Sequence, residues 1–419
     1  MGRTARDKRD RPHPPPVEHI ELNDEHAGWR LIAAGVLLVF GAAMLVYAFM
    51  QLMSPEDGWM EIEASSSAGT SCAGEFTFLY YPDGTAERKA VSTLYTQLCR
   101  SAYELFHCEE EFEGVSNVCT INRHPNVVVE LDPGLYAAFE TVAQSGSRLL
   151  YLGPVYGRYD DLFFCTDDSQ TVDFDPRLSE DVAREYGDIA AFASDPGAIG
   201  LELLGENRVR LAVSEEYLAY AAQEEIEDFI RFSWTTNAFI ADYIARGMTA
   251  QGFTRGVLTS YDGFVRNLDG SGMEYSVQLY DRQGQMVYPA AVMSCPGPVS
   301  IVSLRDYPLN ELDQQRFYEL SNGEIRTLYL DLADGLCRNA VPNLVCYAGE
   351  KGCGELLLAL APVYIAESFQ EEALTHLAAD GIQSIYFKNG VICPSEPGVT
   401  LTQLYEKDGV RYTVASAEK

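Results

Sequence analysis

The chain has 419 residues and a formal net charge of −32, from 30 Lys and Arg against 62 Asp and Glu. Hydrophobic residues at 47% and aromatics at 11% supply ample material for a packed core, which excludes a mostly disordered chain. So acidic a chain lacks the clustered Lys and Arg that grip phosphates, which excludes nucleic acid as a partner.

Residues 1–29 are charged and Pro-rich, with Pro14-Pro15-Pro16 and no apolar periodicity, and read as a disordered tail. Leu31 to Met53 then runs without a charge. At about 1.5 Å rise per residue it is long enough for a ~30 Å hydrocarbon core. Its predicted boundaries are residues 30–53. Arg3, Arg6, Lys8, Arg9, Arg11 and Arg30 precede it, while Glu56, Asp57, Glu61 and Glu63 follow it. The positive-inside rule therefore puts the N-terminus in the cytoplasm and the bulk of the chain outside a cell membrane. A cleaved signal peptide is the competing reading. It fits less well, because the run exceeds a usual h-region and no A-x-A-like site follows.

All ten cysteines lie after this segment, which agrees with an oxidising compartment and predicts disulfides of undetermined connectivity. There is no C-x-x-C pair, and only His107, His124 and His376 follow the membrane segment, so zinc is the weaker reading. Residues 54–71, with Ala64-Ser65-Ser66-Ser67-Ala68-Gly69, read as a linker.

From residue 72 to 419 the pattern alternates, and the prediction is one large α/β (α+β) domain with mixed sheets. Glu75–Tyr81 reads as a strand, and Ala86–Phe106 as a helix presenting Ala90, Val91, Leu94, Leu98, Leu105 and Phe106. Val127–Leu131 is strand-like, and Asp132-Pro133 opens a helix through Ala143. Further helices are predicted at Ser179–Phe192, Thr236–Gln251, Gly354–Ala366 and Gln370–Ala379. Strands are predicted at Arg208–Val213, Gly256–Ser260, through Met273–Leu304, and at Ile382–Phe387 and Tyr412–Ala415.

No phosphate loop, G-x-G-x-x-G turn, H-E-x-x-H helix or G-x-S-x-G elbow occurs. The acid pairs Asp160-Asp161, Asp167-Asp168 and Glu224-Glu225 read as solvated faces in so acidic a chain. Taken alone, this chemistry ends at an anchored extracytoplasmic α/β domain.

The order of elements from Gly69 to Ala415 resembles the FAD:protein FMN transferases, the ApbE-like flavin transferases. Gly69-Thr70-Ser71 through Tyr81 looks like that family's first strand, and Val115-Ser116-Asn117 with Ile121-Asn122 keeps the outline of its Ser-Leu-Asn stretch. The family's flavin-contacting Ala-Phe-Asp falls on Ser147, Arg148 and Leu149. Its Asp-Leu-Gly-Gly-x-x-Lys-Gly motif falls on Arg231, Ser233, Trp234, Asn237 and Ala238, and the following helix Asp on Asp242. A Trp at a glycine position is expected to block close backbone approach to a phosphate. The Asn-Leu-Gly-Gly-Asn turn falls on Thr259–Gly263, including Asp262. The metal pair, Asp and Thr one helical turn apart, falls on Glu355 and Ala359.

The resemblance implies FAD at Ser147, Arg148, Asn237 and Asp262, Mg²⁺ at Glu355, and a protein partner as flavin acceptor or in a membrane complex. It allows two functions. One is a degenerate relative that binds flavin or nucleotide, or assembles with a partner. The other is active, Mg²⁺-dependent transfer of FMN from FAD to a partner Thr. An unrelated adhesin or sensor ectodomain is the third reading.

Overall fold

The computed structural model describes residues 58–65, 70–396, 399–407 and 409–415. The predicted tail and the Leu31–Met53 span lie outside the described residues, within which no helix is long and apolar enough to cross a membrane.

Nine strands form the central sheet, and they lie side by side in chain order. They are β1 (Met60–Glu61), β2 (Phe76–Tyr80), β3 (Gly256–Ser260), β4 (Phe264–Asn267), β5 (Val299–Arg305), β6 (Asn343–Ala348), β7 (Gln383–Lys388), β8 (Val391–Pro394) and β9 (Thr413–Val414). Neighbours are antiparallel except β8 and β9. Adjacent residues point to opposite faces, and here both faces are covered. Leu258, Phe264, Val302 and Leu344 join one apolar cluster, while their neighbours Val257, Val265, Ile301 and Val345 join another. This double burial is why several strands read as unbroken apolar runs.

The helices that bear on the site and its surroundings are α1 (Thr85–Phe106), α2 (Pro133–Ser145), α3 (Glu180–Ser194), α4 (Thr236–Ala250), α5 (Cys353–Tyr364) and α6 (Glu371–Ala379). Helices α1, α2, α4 and α5 contribute to the larger cluster. The strand pair Glu274–Gln283 and Met286–Pro296, extended by Thr400–Leu404, supplies the smaller one through Leu279, Ala291 and Met293. A separate three-stranded sheet holds Val128–Glu130, Arg208–Val213 and Ile199–Gly205.

Local chemistry explains the helix ends. Asp132 accepts a bond from Gly134 N–H at 2.6 Å, Pro133 occupies the first turn, and Gly146 closes α2 in the left-handed conformation. Ser179 caps α3 through Val182 N–H. The buried stripe of α1 is Val91, Tyr95, Cys99, Ala102, Leu105 and Phe106, whereas Leu94 and Leu98 are half-buried and Ala90 is exposed. The predicted face is thus rotated, because the large Tyr95 and the small Cys99 occupy the positions against the sheet.

The described part of the expected 54–71 linker does not stand off from the domain. Met60 and Glu61 pair with Tyr80 and Leu79, Ile62 N–H bonds the Phe78 carbonyl at 2.8 Å, and the Ile62 side chain is buried. A β-branched residue with an edge strand beside it adds to the sheet rather than staying in water.

The turn between β3 and β4 needs a glycine. Gly263 has φ +109°, and a Cβ there would run into the backbone carbonyl of Ser303, a residue of β5. Gly263→Ala is expected to lower stability by about 1–3 kcal/mol, read from the urea midpoint, through backbone strain. An unchanged midpoint would show that the turn relaxes.

Candidate functional site

The turn Tyr261–Gly263 meets two other segments at one end of the sheet. Glu75 precedes β2, and its carbonyl accepts from Tyr261 N–H at 3.2 Å. Asn237 lies in the first turn of α4. Its side-chain Nδ2 donates to Glu75 Oε2 at 3.2 Å and to Asp262 Oδ2 at 3.0 Å. Arg316 completes the cluster, with Nη1 2.7 Å from Asp262 Oδ2 and its guanidinium 5.3 Å above the Tyr261 ring. Burial works against the Arg316 charge, but Asp262 and Tyr261 more than restore it, so Arg316 titrates above its usual range.

Two clefts adjoin this cluster and share Tyr261 and Leu312 as walls. The first, about 510 Å³, is lined by Thr77, Thr259 and Ser303 from the central sheet and by Tyr280 and Tyr307. The second, about 340 Å³, is lined by Arg231, Trp234, Phe163 and Arg316.

The cations here are already engaged. Arg231 contacts Glu109, Asp160 at 3.2 Å and Asp228 at 3.6 Å, and its Nε donates to the Cys108 sulfur at 3.0 Å. Asp160 is pushed up to about 6, first by burial, with Arg231 pulling partly the other way. The acid pair Asp160-Asp161 is therefore no uniformly solvated face: Asp160 turns inward to Arg231, while Asp161 is exposed.

A carboxyl whose folded value lies above its unfolded one keeps its proton longer in the folded chain. Between about pH 4 and 6 the folded state holds more protons, so this group makes stability fall as pH rises through that window. Asp160→Asn is expected to flatten that part of the stability–pH curve, measured by urea melts from pH 4 to 7. An unaltered slope would assign the titration to another acid.

The turn before α4 keeps an unusual backbone. Ser233 has φ +46°, the left-handed region that glycine adopts most easily. Trp234 does not stand across the opening. It is 3% exposed, its indole N–H donates to the Tyr156 hydroxyl at 3.3 Å, and its ring meets Tyr329 edge-on. The expected obstruction by Trp234 is thus corrected: the indole fills the core behind the turn and only walls the cleft. Thr235, at the head of α4, makes no side-chain cap.

Of the five residues predicted for the site, Asn237 and Asp262 come together. Ser147 and Arg148 do not join them. Arg148 donates to the carbonyls of Ala193, Asp195 and Ile199, which ties the end of α3 to the strand after it. Ser147 and Arg148 border a different cavity of about 280 Å³, lined also by Phe139, Leu150 and Ile230. Glu355 is also elsewhere, at the first turn of α5, paired with Lys351. Sequence reasoning missed Glu75, Arg316 and the inward turn of Asp160. Only the convergence of segments far apart in the chain reveals them.

Asp242 holds the start of α5, accepting from Cys353 and Gly354 N–H at 2.9 Å each. Gly352 is required there, since a Cβ would strike the Asp242 carboxylate. Arg266 lies 3.4 Å away and counters the upward push of burial on Asp242.

These residues do not fit Mg²⁺. Both Asp242 oxygens carry backbone amides, Glu355 carries an ammonium, and Ala359 has no oxygen to offer. Among the described residues no group of three His, Cys, Asp or Glu side chains is placed to hold a metal. The first cleft has another character, with Tyr261, Tyr280 and Tyr307 among its lining residues beside the hydroxyl-bearing Thr259 and Ser303, a combination that suits a flat ring with a polar edge such as a flavin.

No protein-family model matches the sequence, and no curated protein is detectably similar to it. Solved structures are similar in fold. The ApbE protein of Thermotoga maritima superposes with a TM-score of 0.55 at 13% identity, covering 83% of this chain and 97% of that one. The flavin transferase ApbE of Vibrio cholerae gives 0.52 at 14% identity, covering 84% of this chain and 98% of that one. A point variant of that transferase gives 0.52 at 14% identity, with 78% and 93% covered. The chain has the ApbE-like fold, a mixed α/β domain with several sheets.

Proposed function

We propose that this chain with an ApbE-like fold is a membrane-anchored relative of the flavin transferases that binds a flavin or nucleotide ring without transferring it. Leu31–Met53 would anchor it, the bases before that segment would keep its N-terminus inside, and the domain would meet a partner protein outside the membrane.

The observation that carries the reading is the state of Asn237. Where the resemblance places a Lys, a neutral amide bridges two carboxylates, Glu75 and Asp262. An FAD diphosphate entering there would meet acids, with Arg316 already held by Asp262. Negative charge unmatched by a cation is costly in a partly dry cleft. A flavin ring carries no such cost and would be taken between the tyrosines.

The test is titration of the detergent-solubilised full chain with riboflavin, FMN and FAD, followed by flavin fluorescence. Quenching by riboflavin at least as strong as by FAD supports the reading. It should weaken in Tyr261→Ala. No association with any of the three removes the binding function.

A further inference from the structure

The ten cysteines are all free thiols in this structure, and the sulfur of one reaches the backbone of another. Cys72 opens the single turn Cys72–Glu75, which Ser71 caps and which delivers Glu75 to Asn237. Cys99 lies in the middle of α1. The Cys72 Sγ donates to the Cys99 carbonyl at 3.2 Å, and both residues are buried, at 5% and 0% exposure. The other bonded thiols meet no second cysteine. Cys108 meets Arg231, Cys337 meets Thr327, Cys353 meets the Val265 carbonyl, and Cys165 and Cys393 donate to the nearby carbonyls of Asp161 and Val391.

We propose that Cys72 and Cys99 are joined by a disulfide that fastens the Glu75 turn to α1. Each sulfur sits on a single rotatable Cα–Cβ bond, and closing to a bond of about 2.05 Å turns the Cys72 sulfur from the Cys99 carbonyl to the Cys99 sulfur. The Cys72 thiol is pushed far up, first by its hydrogen bond with the Cys99 side chain and then by burial. The reactive thiolate is therefore suppressed once the turn has docked.

The chemistry is exchange with a disulfide-bearing oxidant, an oxidase or oxidised glutathione. One cysteine thiolate attacks the oxidant's disulfide and forms a mixed disulfide, releasing one oxidant thiolate. The second cysteine thiolate then attacks the first cysteine's sulfur and expels the remaining oxidant thiolate. The two cysteines lose two protons and two electrons, and the oxidant's disulfide becomes two thiols. In the cell this rests on the external placement proposed above; in vitro it does not.

The experiment refolds the full chain in detergent with oxidised glutathione, unfolds it without reductant, alkylates it and maps the peptides. The expected result is eight alkylated cysteines and one linked pair, Cys72 with Cys99. The link should resist dithiothreitol in the native chain and yield to it in urea. Cys99→Ala should leave Cys72 alkylated and remove the link. Ten alkylated cysteines, or a link joining another pair, overturns the proposal. The same map on chain taken from cell membranes separates the two readings. A link present after refolding but missing from the cellular chain overturns the external placement and leaves the pairing standing.

Discussion

The full chain incubated with FAD, Mg²⁺ and a Thr-bearing acceptor protein will leave the acceptor unlabelled in a denaturing gel. Its transfer rate is expected to fall several orders of magnitude below that of an intact flavin transferase. Transfer from FAD breaks a diphosphate, so charge builds on oxygen and must be matched by positive groups already in place. Here the amide of Asn237 faces two carboxylates, Arg316 is paired with Asp262, and no donor set for Mg²⁺ stands among the described residues. Each missing group of this kind costs about 10²–10³ in rate, and losses within one site do not simply add. Asn237→Lys alone should not restore transfer, because a new ammonium would be captured by Glu75 and Asp262. Strong labelling by the unaltered chain that vanishes in Glu355→Ala would show a working metal site and overturn the non-transferring reading.

Asp313→Ala is expected to cost about 3–5 kcal/mol, the usual result of stripping one partner from a buried ion pair. Asp313 is fully buried and Arg305 nearly so, at 0% and 3% side-chain exposure. The carboxylate also accepts from Leu309 N–H at 3.1 Å and Asn310 N–H at 3.0 Å. Removing it leaves the Arg305 guanidinium with the Tyr261 carbonyl at 3.0 Å and an Nε that has no partner. The double change Arg305→Met with Asp313→Leu should cost much less, since an apolar pair abandons no charge. Urea denaturation of the three variants decides it. A double variant as unstable as Asp313→Ala would mean that the two backbone amides, rather than the stranded charge, dominate. Leu309, Leu312 and Arg316 wall the clefts from this same stretch, so Asp313→Ala should also weaken any flavin binding.

Much of the fold was legible where local chemistry is strong. Asp132-Pro133 and Gly146 bracket α2 as their residue types demand, and β3 spans the predicted Gly256–Ser260. Strand β6 went unread because Asn343–Ala348 is buried on both faces and shows no alternation. The stretch Leu149–Phe164 was missed for another reason. It is a chain of short helical pieces, each too brief to show a period.

The site was legible only in fragments. Asn237 and Asp262 could be named because the resemblance aligned their segments. Nothing local marks Glu75, whose role comes from pairing β2 against β3. Arg148 and Glu355 were named from alignment too, but helix-end carbonyls hold one and Lys351 holds the other. A pattern in sequence cannot tell a side chain aimed at a ligand from one spent on its own neighbourhood.

The central sheet has one seam unlike the rest. Strands β3 to β8 join neighbours separated by at most the stretch between Arg305 and Asn343, whereas the β2–β3 contact spans everything between Tyr80 and Gly256. Closing a longer loop costs more entropy, though only slowly with length. Pairing across that gap also demands that helices α1 to α4 be roughly in place. During synthesis, the edge of β2 that receives β3 is made early and stays without that partner until Ser260 has been added. The Glu75–Asn237–Asp262 cluster straddles this seam, so the candidate site cannot assemble before β3 has been made.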